Sequence, residues 1–358
     1  MSANQHAVAD LPTDAVSALR FSPHPDSNKF AVASWDRHVY VYEVVNGKEA
    51  KQLSKFEHQA PVLDVCFGND DSELFSACLD WDVRRCAHED TGGRLKGSAD
   101  KDRIDVASGK QTVLSSHDNG VRSIVYSKEH SLVISAAWDS TSWSPATINL
   151  PSKPFALAVS ASKLVVAMAS RALQIYELKT LAAECKALGK GDHNRLDMEP
   201  WQRRESSLKF MTRAVDCMPN DEGYATSSIE GRVAVEWFDA SNESQARKYA
   251  FKCHRQPVDD ADVVYPVNAI SFHPIHGTFA TGGGDGVVAI WDAIAKRRIR
   301  IYPKLASSVA ALSFSANGKF LATAISPGFE DGKEDVSEGS VAIFIRELGD
   351  KEVQRKAK

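Results

Sequence analysis

Tyr265-Pro-Val-Asn-Ala-Ile-Ser-Phe-His-Pro-Ile-His-Gly-Thr-Phe-Ala-Thr-Gly-Gly-Gly-Asp-Gly-Val-Val-Ala-Ile-Trp-Asp292 is the stretch whose reading decides the fold. Two apolar runs, Thr278 to Thr281 and Val287 to Trp291, flank its Gly-Gly-Gly-Asp-Gly. Glycine enters positive φ at no steric cost, as a tight hairpin turn requires, so the two runs read as paired strands. A third run, Val267 to Phe272, stops at His273-Pro274, because proline has no N–H to donate to a sheet ladder.

A sheet this small cannot bury both faces alone, so copies of it must stack around an axis until the ring closes. The stretch is one nearly complete WD repeat, and weaker copies occupy the rest of the chain. The first runs from Val16 through Ala31-Val-Ala-Ser-Trp35-Asp36 to Tyr42, the second from Val62 to Asp80, the third from Val121 through Trp138-Asp139. The fourth, Phe155 to Tyr176, carries Ala169-Ser-Arg171 where the others have Asp. The fifth runs from Arg213 through Glu230-Gly231 to Phe238, and the seventh from Val309 to Ile345. At roughly 40–45 residues per repeat, this predicts an all-β fold, a seven-bladed WD-repeat β-propeller spanning 1–358 as a single domain. The chain stops soon after the third strand of the last copy. The outermost strand there is therefore expected from Ala3 to Leu11, which would latch the ring.

Hydrophobic residues at 43% and a formal charge of −4 are ordinary for a globular chain, so bulk charge argues for neither nucleic acid nor membrane as a partner. The six cysteines have no paired zinc or redox spacing and read as core thiols of a reducing compartment, cytosol or nucleus. No stretch has the length of a signal peptide or a membrane span.

Three places disturb the repeat. Residues 86–103 are polar and interrupt the fourth strand of the second copy, and they are expected to form a disordered surface loop. In the third copy Trp138-Asp-Ser-Thr runs almost at once into Ser142-Trp143-Ser-Pro, which leaves a short third strand. Residues 188–202 read as a polar linker between the fourth and fifth copies.

No nucleophile–base pair, metal set, Gly-x-Ser-x-Gly elbow or phosphate loop appears, so catalysis, metal and cofactor are not expected. His58, His117 and His254 precede inner strands and match Asp80, Asp139 and Asp285 in the hairpin turns, with Asp36 in the first copy. Each His is expected to join a buried hydrogen-bonded set with the Asp, a Ser or Thr and a terminal Trp such as Trp291. Trp81-Asp82-Val83-Arg84 resembles the Trp-Asp-x-Arg box of ubiquitin-ligase receptors, but Trp81 follows a turn residue instead of ending a strand.

Two features are left for function. Arg213, Arg232, Lys252 and Arg255 cluster in the fifth copy and its exit. They either pair with Glu230, Glu236 and Asp239 or offer a phosphate several charge-assisted bonds. Trp35 and Trp138 precede the turn Asp, either as packing residues or as exposed peptide anchors.

Gln202-Arg-Arg-Glu-Ser-Ser-Leu-Lys209, Ser228-Ile-Glu-Gly-Arg-Val-Ala-Val-Glu236, Tyr249-Ala-Phe-Lys-Cys-His-Arg255 and Tyr265-Pro-Val-Asn-Ala-Ile-Ser-Phe-His273 closely resemble the Bub-three family of the spindle-assembly checkpoint. The resemblance implies a non-catalytic, monomeric adaptor of the nucleus and the mitotic kinetochore. Its implied ligand is phosphothreonine in Met-Glu-Leu-Thr repeats of the kinetochore scaffold, held at Arg232 and Lys252 with Arg213 nearby. It further implies that acidic segments of the checkpoint kinase and its pseudokinase-like relative cross Trp35 and Trp138. A mitotic ubiquitin-ligase complex is a further implied partner. The nuclear-pore and messenger-RNA-export WD-repeat adaptor, which binds a nucleoporin segment, is similar in the Glu-Gly-Arg and Phe-Lys-Cys-His-Arg stretches and is the competing reading.

Overall fold

In a computed structural model of the chain, the described residues are 4–87, 111–139, 141–143, 146–187, 195–328 and 340–355. The architecture is an all-β WD-repeat propeller. The described strands form six four-stranded sheets, one five-stranded sheet and one two-stranded sheet. In chain order the inner strands of the larger sheets are Val16–Phe21, Val62–Phe67, Val121–Ser127, Pro154–Val159, Thr212–Cys217, Val267–Phe272 and Val309–Phe314. Each packs against the inner strands on either side, and the last packs against the first, so the ring is closed.

Short apolar, β-branched runs bounded by turn residues explain why these are strands, and packing between neighbouring sheets covers both of their faces. In Val267–Phe272, Val267, Ala269, Ile270 and Phe272 are buried while Asn268 and Ser271 are only partly covered. The buried side chains form the cores between adjacent sheets, as where Ala225, Val233 and Trp237 of the fifth meet Val267, Ile270 and Phe279 of the sixth. Polar side chains stitch the inner strands together. The Phe272 N–H donates to Asp216 Oδ2 at 2.7 Å, Ile124 N–H to Asp64 Oδ2 at 3.1 Å, Phe314 N–H to Ser271 Oγ at 3.3 Å, and Phe21 N–H to Ser313 Oγ at 3.1 Å.

The seventh sheet takes its outermost strand from the other end of the chain. Gln5–Ala7 runs antiparallel to Ala342–Glu347, with Gln5 opposite Arg346 and Ala7 opposite Phe344. Val8, buried, continues the contact through its N–H to the Ile343 carbonyl at 2.9 Å.

The disturbed segments depart from the sequence reading in instructive ways. The third strand of the second sheet continues through Cys86 to Ala87, and Cys86 is fully buried, so the strand outlasts the expected break. Gln111–Ser116 then supplies the fourth strand, pairing Gln111 with Cys86; the rest of the expected loop, 88–103, lies outside the described residues. In the third sheet Thr141–Trp143 is indeed a three-residue strand, extended by Thr147–Asn149 and a parallel Arg195–Leu196. Residues 188–202 do not join the fourth sheet to the fifth. The excursion lies inside the fourth sheet, because Gln202–Glu205 pairs with Ala172–Glu177 as its outer strand. Between them the helix Leu178–Ala187 buries Leu178, Leu181, Ala182 and Cys185 against the third and fourth sheets. No helix among the described residues is long and apolar enough to cross a membrane.

Candidate functional site: the upper rim

One hydrogen bond recurs around one face, called upper here. The N–H opening each second-to-third-strand turn donates to the carbonyl just ahead of the same sheet's inner strand. Trp35 bonds Ala15, Leu79 bonds Pro61, Trp138 bonds Gly120, Ala169 bonds Lys153, Ile229 bonds Met211, Gly284 bonds Pro266 and Ser326 bonds Ser308, all at 2.8–3.1 Å. Trp35, Trp138 and Ile229 are therefore equivalent positions on one rim. Trp35 is 44% exposed, whereas Trp138 is half-buried, with Lys153 Nζ 5.1 Å from its ring centroid.

The fifth sheet brings the predicted cations to this rim. The turn at Glu230-Gly231 needs glycine, since φ is +64° and a Cβ would sit 2.7 Å from the Cys253 carbonyl oxygen. That close approach places the start of the third strand, Arg232–Trp237, against the end of the fourth, Tyr249–Lys252. Arg232 and Lys252 are direct cross-strand partners. Arg232 Nε lies 3.5 Å from Glu230 Oε2, and Lys252, exposed, makes no hydrogen bond or ion pair among the described residues. The competing acids are otherwise engaged. Glu236 accepts from Ser207 Oγ at 2.8 Å and the Tyr224 hydroxyl at 3.0 Å, and Asp239 accepts from Ser241 Oγ at 2.7 Å. Arg255 Nη2 donates to the Glu230 carbonyl at 3.0 Å and so buttresses the turn.

Arg213 is placed differently. It lies on the inner strand, two strands across from Arg232 and thus roughly 10 Å away by strand spacing. Its guanidinium donates to Asn268 Oδ1 at 2.9 Å, and it lines the central channel with Arg20, Arg122 and Asp64. Arg122 makes no hydrogen bond or ion pair among the described residues, so the channel carries an excess of positive charge that was not read from the sequence.

Phe210 at 53% and Met211 at 42% exposure lie beside Ile229 on the same rim and were also missed. The signal was available, because both residues sit just ahead of an inner strand, where the rim connections run. The expected buried sets are present in graded form. In the sixth sheet His254 Nδ1 meets Asp285 Oδ1 at 2.9 Å, His254 Nε2 meets Thr281 Oγ1 at 2.8 Å, and Trp291 Nε1–H donates to the same hydroxyl at 2.9 Å. His117 meets Ser135 Oγ at 2.9 Å and Asp139 at 3.4 Å. His58 keeps its Ser76 partner at 2.8 Å, but Asp80 pairs instead with the buried Arg84 at 2.7 Å. That ion pair, shared with Asp82 at 2.8 Å, accounts for the Trp-Asp-x-Arg stretch as scaffold.

A closed ring of small antiparallel sheets is the design of WD-repeat proteins, and the WD domain, G-beta repeat family model matches residues 6–43, 108–142 and 248–292. The chain is 41% identical to mitotic checkpoint protein BUB3.1 of Arabidopsis thaliana over 98% of its own length and 95% of that protein's. It is 33% identical to mitotic checkpoint protein bub3 of Dictyostelium discoideum over 90% of its length and 89% of that protein's. It belongs to the Bub3 family of mitotic checkpoint proteins. Similarity extends to mRNA export factor GLE2 of Chaetomium thermophilum, at 32% identity over 92% of this chain and 86% of that protein.

Proposed function

We propose that the chain is a non-catalytic adaptor of the spindle-assembly checkpoint whose upper rim reads phosphothreonine, its seven larger sheets being the blades of one single-domain propeller. The observation that carries this is the direct opposition of Arg232 and Lys252 on neighbouring strands. Like charges directly opposite in a sheet destabilise it, and one mostly buried carboxylate, Glu230, offsets only Arg232. A phosphate carrying about −1.5 to −2 charges would relieve both cations at once. Each charge-assisted bond contributes about 1.5–3 kcal/mol, which makes phosphorylation a recruitment switch.

The phosphothreonine belongs to Met-Glu-Leu-Thr repeats of the kinetochore scaffold. Phe210, Met211 and Ile229 provide the apolar ground beside it. Acidic segments of the checkpoint kinase and its pseudokinase-like relative lie across Trp35 and Trp138, while Arg213, on the inner strand of the fifth sheet, adds positive charge on the channel side of the phosphate. The site of action is the nucleus and the mitotic kinetochore, and a mitotic ubiquitin-ligase complex is a further partner of the assembled protein.

Calorimetric titration with a Met-Glu-Leu-phosphoThr peptide and its unphosphorylated twin tests the reading. The phosphorylated form is expected to bind at least tenfold tighter, with the advantage lost in Arg232→Ala and in Lys252→Ala. Equal affinities, or no loss in either variant, would overturn it. The similarity to an mRNA export factor supports a second reading, an export adaptor binding a nucleoporin segment. Retrieval of nucleoporins without checkpoint kinase from cells would favour that reading.

A further inference from the structure

The connection from the fifth sheet to the sixth carries a hairpin that belongs to neither. Arg255–Val258 and Ala261–Val264 form a two-stranded sheet of their own, with Val258 opposite Ala261, Pro257 opposite Asp262, Gln256 opposite Val263 and Arg255 opposite Val264. At its base the Tyr265 N–H donates to the His254 carbonyl at 3.0 Å. Antiparallel pairs alternate between bonded and non-bonded. Counting up from that base, Gln256–Val263 and Val258–Ala261 are the bonded pairs. The N–H and C=O groups of Asp262 and Val264 therefore point away from the partner strand, along an edge that no other strand among the described residues pairs. The opposite edge is poorer, because Pro257 has no N–H.

Cross-strand partners share a face. Val258, Ala261 and Val263 thus lie on one face, all exposed, with Val258 at 47%. On the other face Asp262 meets Arg255 at 3.9 Å, and Asp259 and Asp260 at the turn complete an acidic tip. An exposed, apolar, unpaired edge is a template for a further strand.

We propose that the free edge of Ala261–Val264 receives one extended segment of a partner protein in which apolar and basic residues alternate. Main-chain bonds to Asp262 and Val264 set its register, its apolar side chains cover Val258, Ala261 and Val263, and its Lys or Arg side chains meet Asp262 and the acidic tip. A second copy of this chain is the wrong occupant, because its own edge, Ala261-Asp-Val-Val264, carries no Lys or Arg to meet Asp262 and would add like charge beside it. The site uses neither Arg232 nor Lys252 and stands apart from the phosphate reading.

The test is fluorescence anisotropy on the full chain with three labelled octapeptides: alternating Lys-Val, the same residues in a Lys block and a Val block, and alternating Glu-Val. The alternating Lys-Val peptide is expected to bind at least tenfold tighter than the other two. Asp262→Lys and Val264→Pro should each weaken it at least tenfold, while Arg232→Ala leaves it unchanged. Val264→Pro removes an N–H that faces outward, so the hairpin's own ladder is kept. Amide exchange on the unsubstituted chain gives a second reading, with slowing expected at Asp262 and Val264. Equal binding of the alternating and block peptides, indifference to Val264→Pro, or no slowing at those amides would overturn the proposal, as would a dimer of the free chain that Val264→Pro dissolves.

Discussion

His273 sits fully buried beneath the sixth sheet, with both ring nitrogens committed. Nε2–H donates to the Gly318 carbonyl at 3.1 Å, while the Nδ1 lone pair accepts the N–H groups of Ile275 and His276, both at 3.2 Å. A second proton has no place on this ring. Burial, opposed by the Gly318 carbonyl and aided by His276, pushes its pKa down to about 4. Burial beside Arg84 does the same to His58. Between pH 6.5 and 4 the unfolded chain holds the extra proton and the folded chain refuses it, so stability falls as pH falls. Each histidine is expected to account for a loss of about 2 kcal/mol between pH 7 and 5. Asp216 opposes this, since burial raises its pKa to about 6 and the folded chain takes up a proton in the same window. The single-residue comparison is therefore the informative one. The drop in urea midpoint from pH 7 to pH 5 should be smaller in His273→Asn than in the unsubstituted chain, and an unchanged drop would contradict the assignment.

At the level of elements, the closing strand Gln5–Ala7 is short, yet with Asn4 and Val8 it covers the edge of Ala342–Glu347 from Ile343 to Glu347 and is anchored by buried Val8 and by Arg346 Nη2 donating to Gln5 Oε1 at 2.9 Å. Its removal uncovers a row of unpaired backbone groups flanked by Ile343 and Ile345, both in the core. Deleting residues 1–8 is expected to lower the melting temperature by roughly 5–10 °C, from a loss of about 3–5 kcal/mol, and to promote aggregation. A melting curve within a degree of the full chain would refute this. The elements also show where strand reading succeeds. Val267–Phe272 and Thr278–Gly283 are short, mostly buried runs bounded by turn residues and were legible. Gln202–Glu205, polar throughout, was not, because an exposed outer strand has only one covered neighbour and need not alternate. The helix Leu178–Ala187 was hidden for a related reason: its buried Leu178, Leu181, Ala182 and Cys185 follow helical spacing within a chain read for strands.

Across the whole molecule, closure depends on side chains that tie one inner strand to the next. Asp64 is the most connected of these, accepting from Val65 N–H, Ile124 N–H and Ser123 Oγ at 2.7–3.1 Å and lying 3.7 Å from Arg20. Asp64→Ala would leave those buried donors unpaired across the boundary between the second and third sheets. The expected cost is about 3–5 kcal/mol, since it combines lost bonds to a charged acceptor with buried groups left unmatched. Chemical denaturation would measure it, and a change below 1 kcal/mol would show that the ring closes by apolar packing alone. The same side chain balances the channel arginines, so the variant should also raise the channel's positive potential.

The sequence by itself determined the repeat, the strand-forming runs, the turn glycines and the two tryptophans on the rim, because each depends on local φ preference or on a short apolar run bounded by turn residues. It also supplied Arg232 and Lys252 as residues of interest without deciding whether nearby acids neutralised them. Only the tertiary structure decided that: it placed the two cations opposite each other across one ladder and engaged Glu236 and Asp239 elsewhere. It likewise moved Arg213 into the channel and raised a separate hairpin from the Lys252–Val267 connection. These are facts of register and of contact between segments far apart in the chain. No local pattern encodes them, because strand pairing is settled by the whole closed ring and not by any one blade.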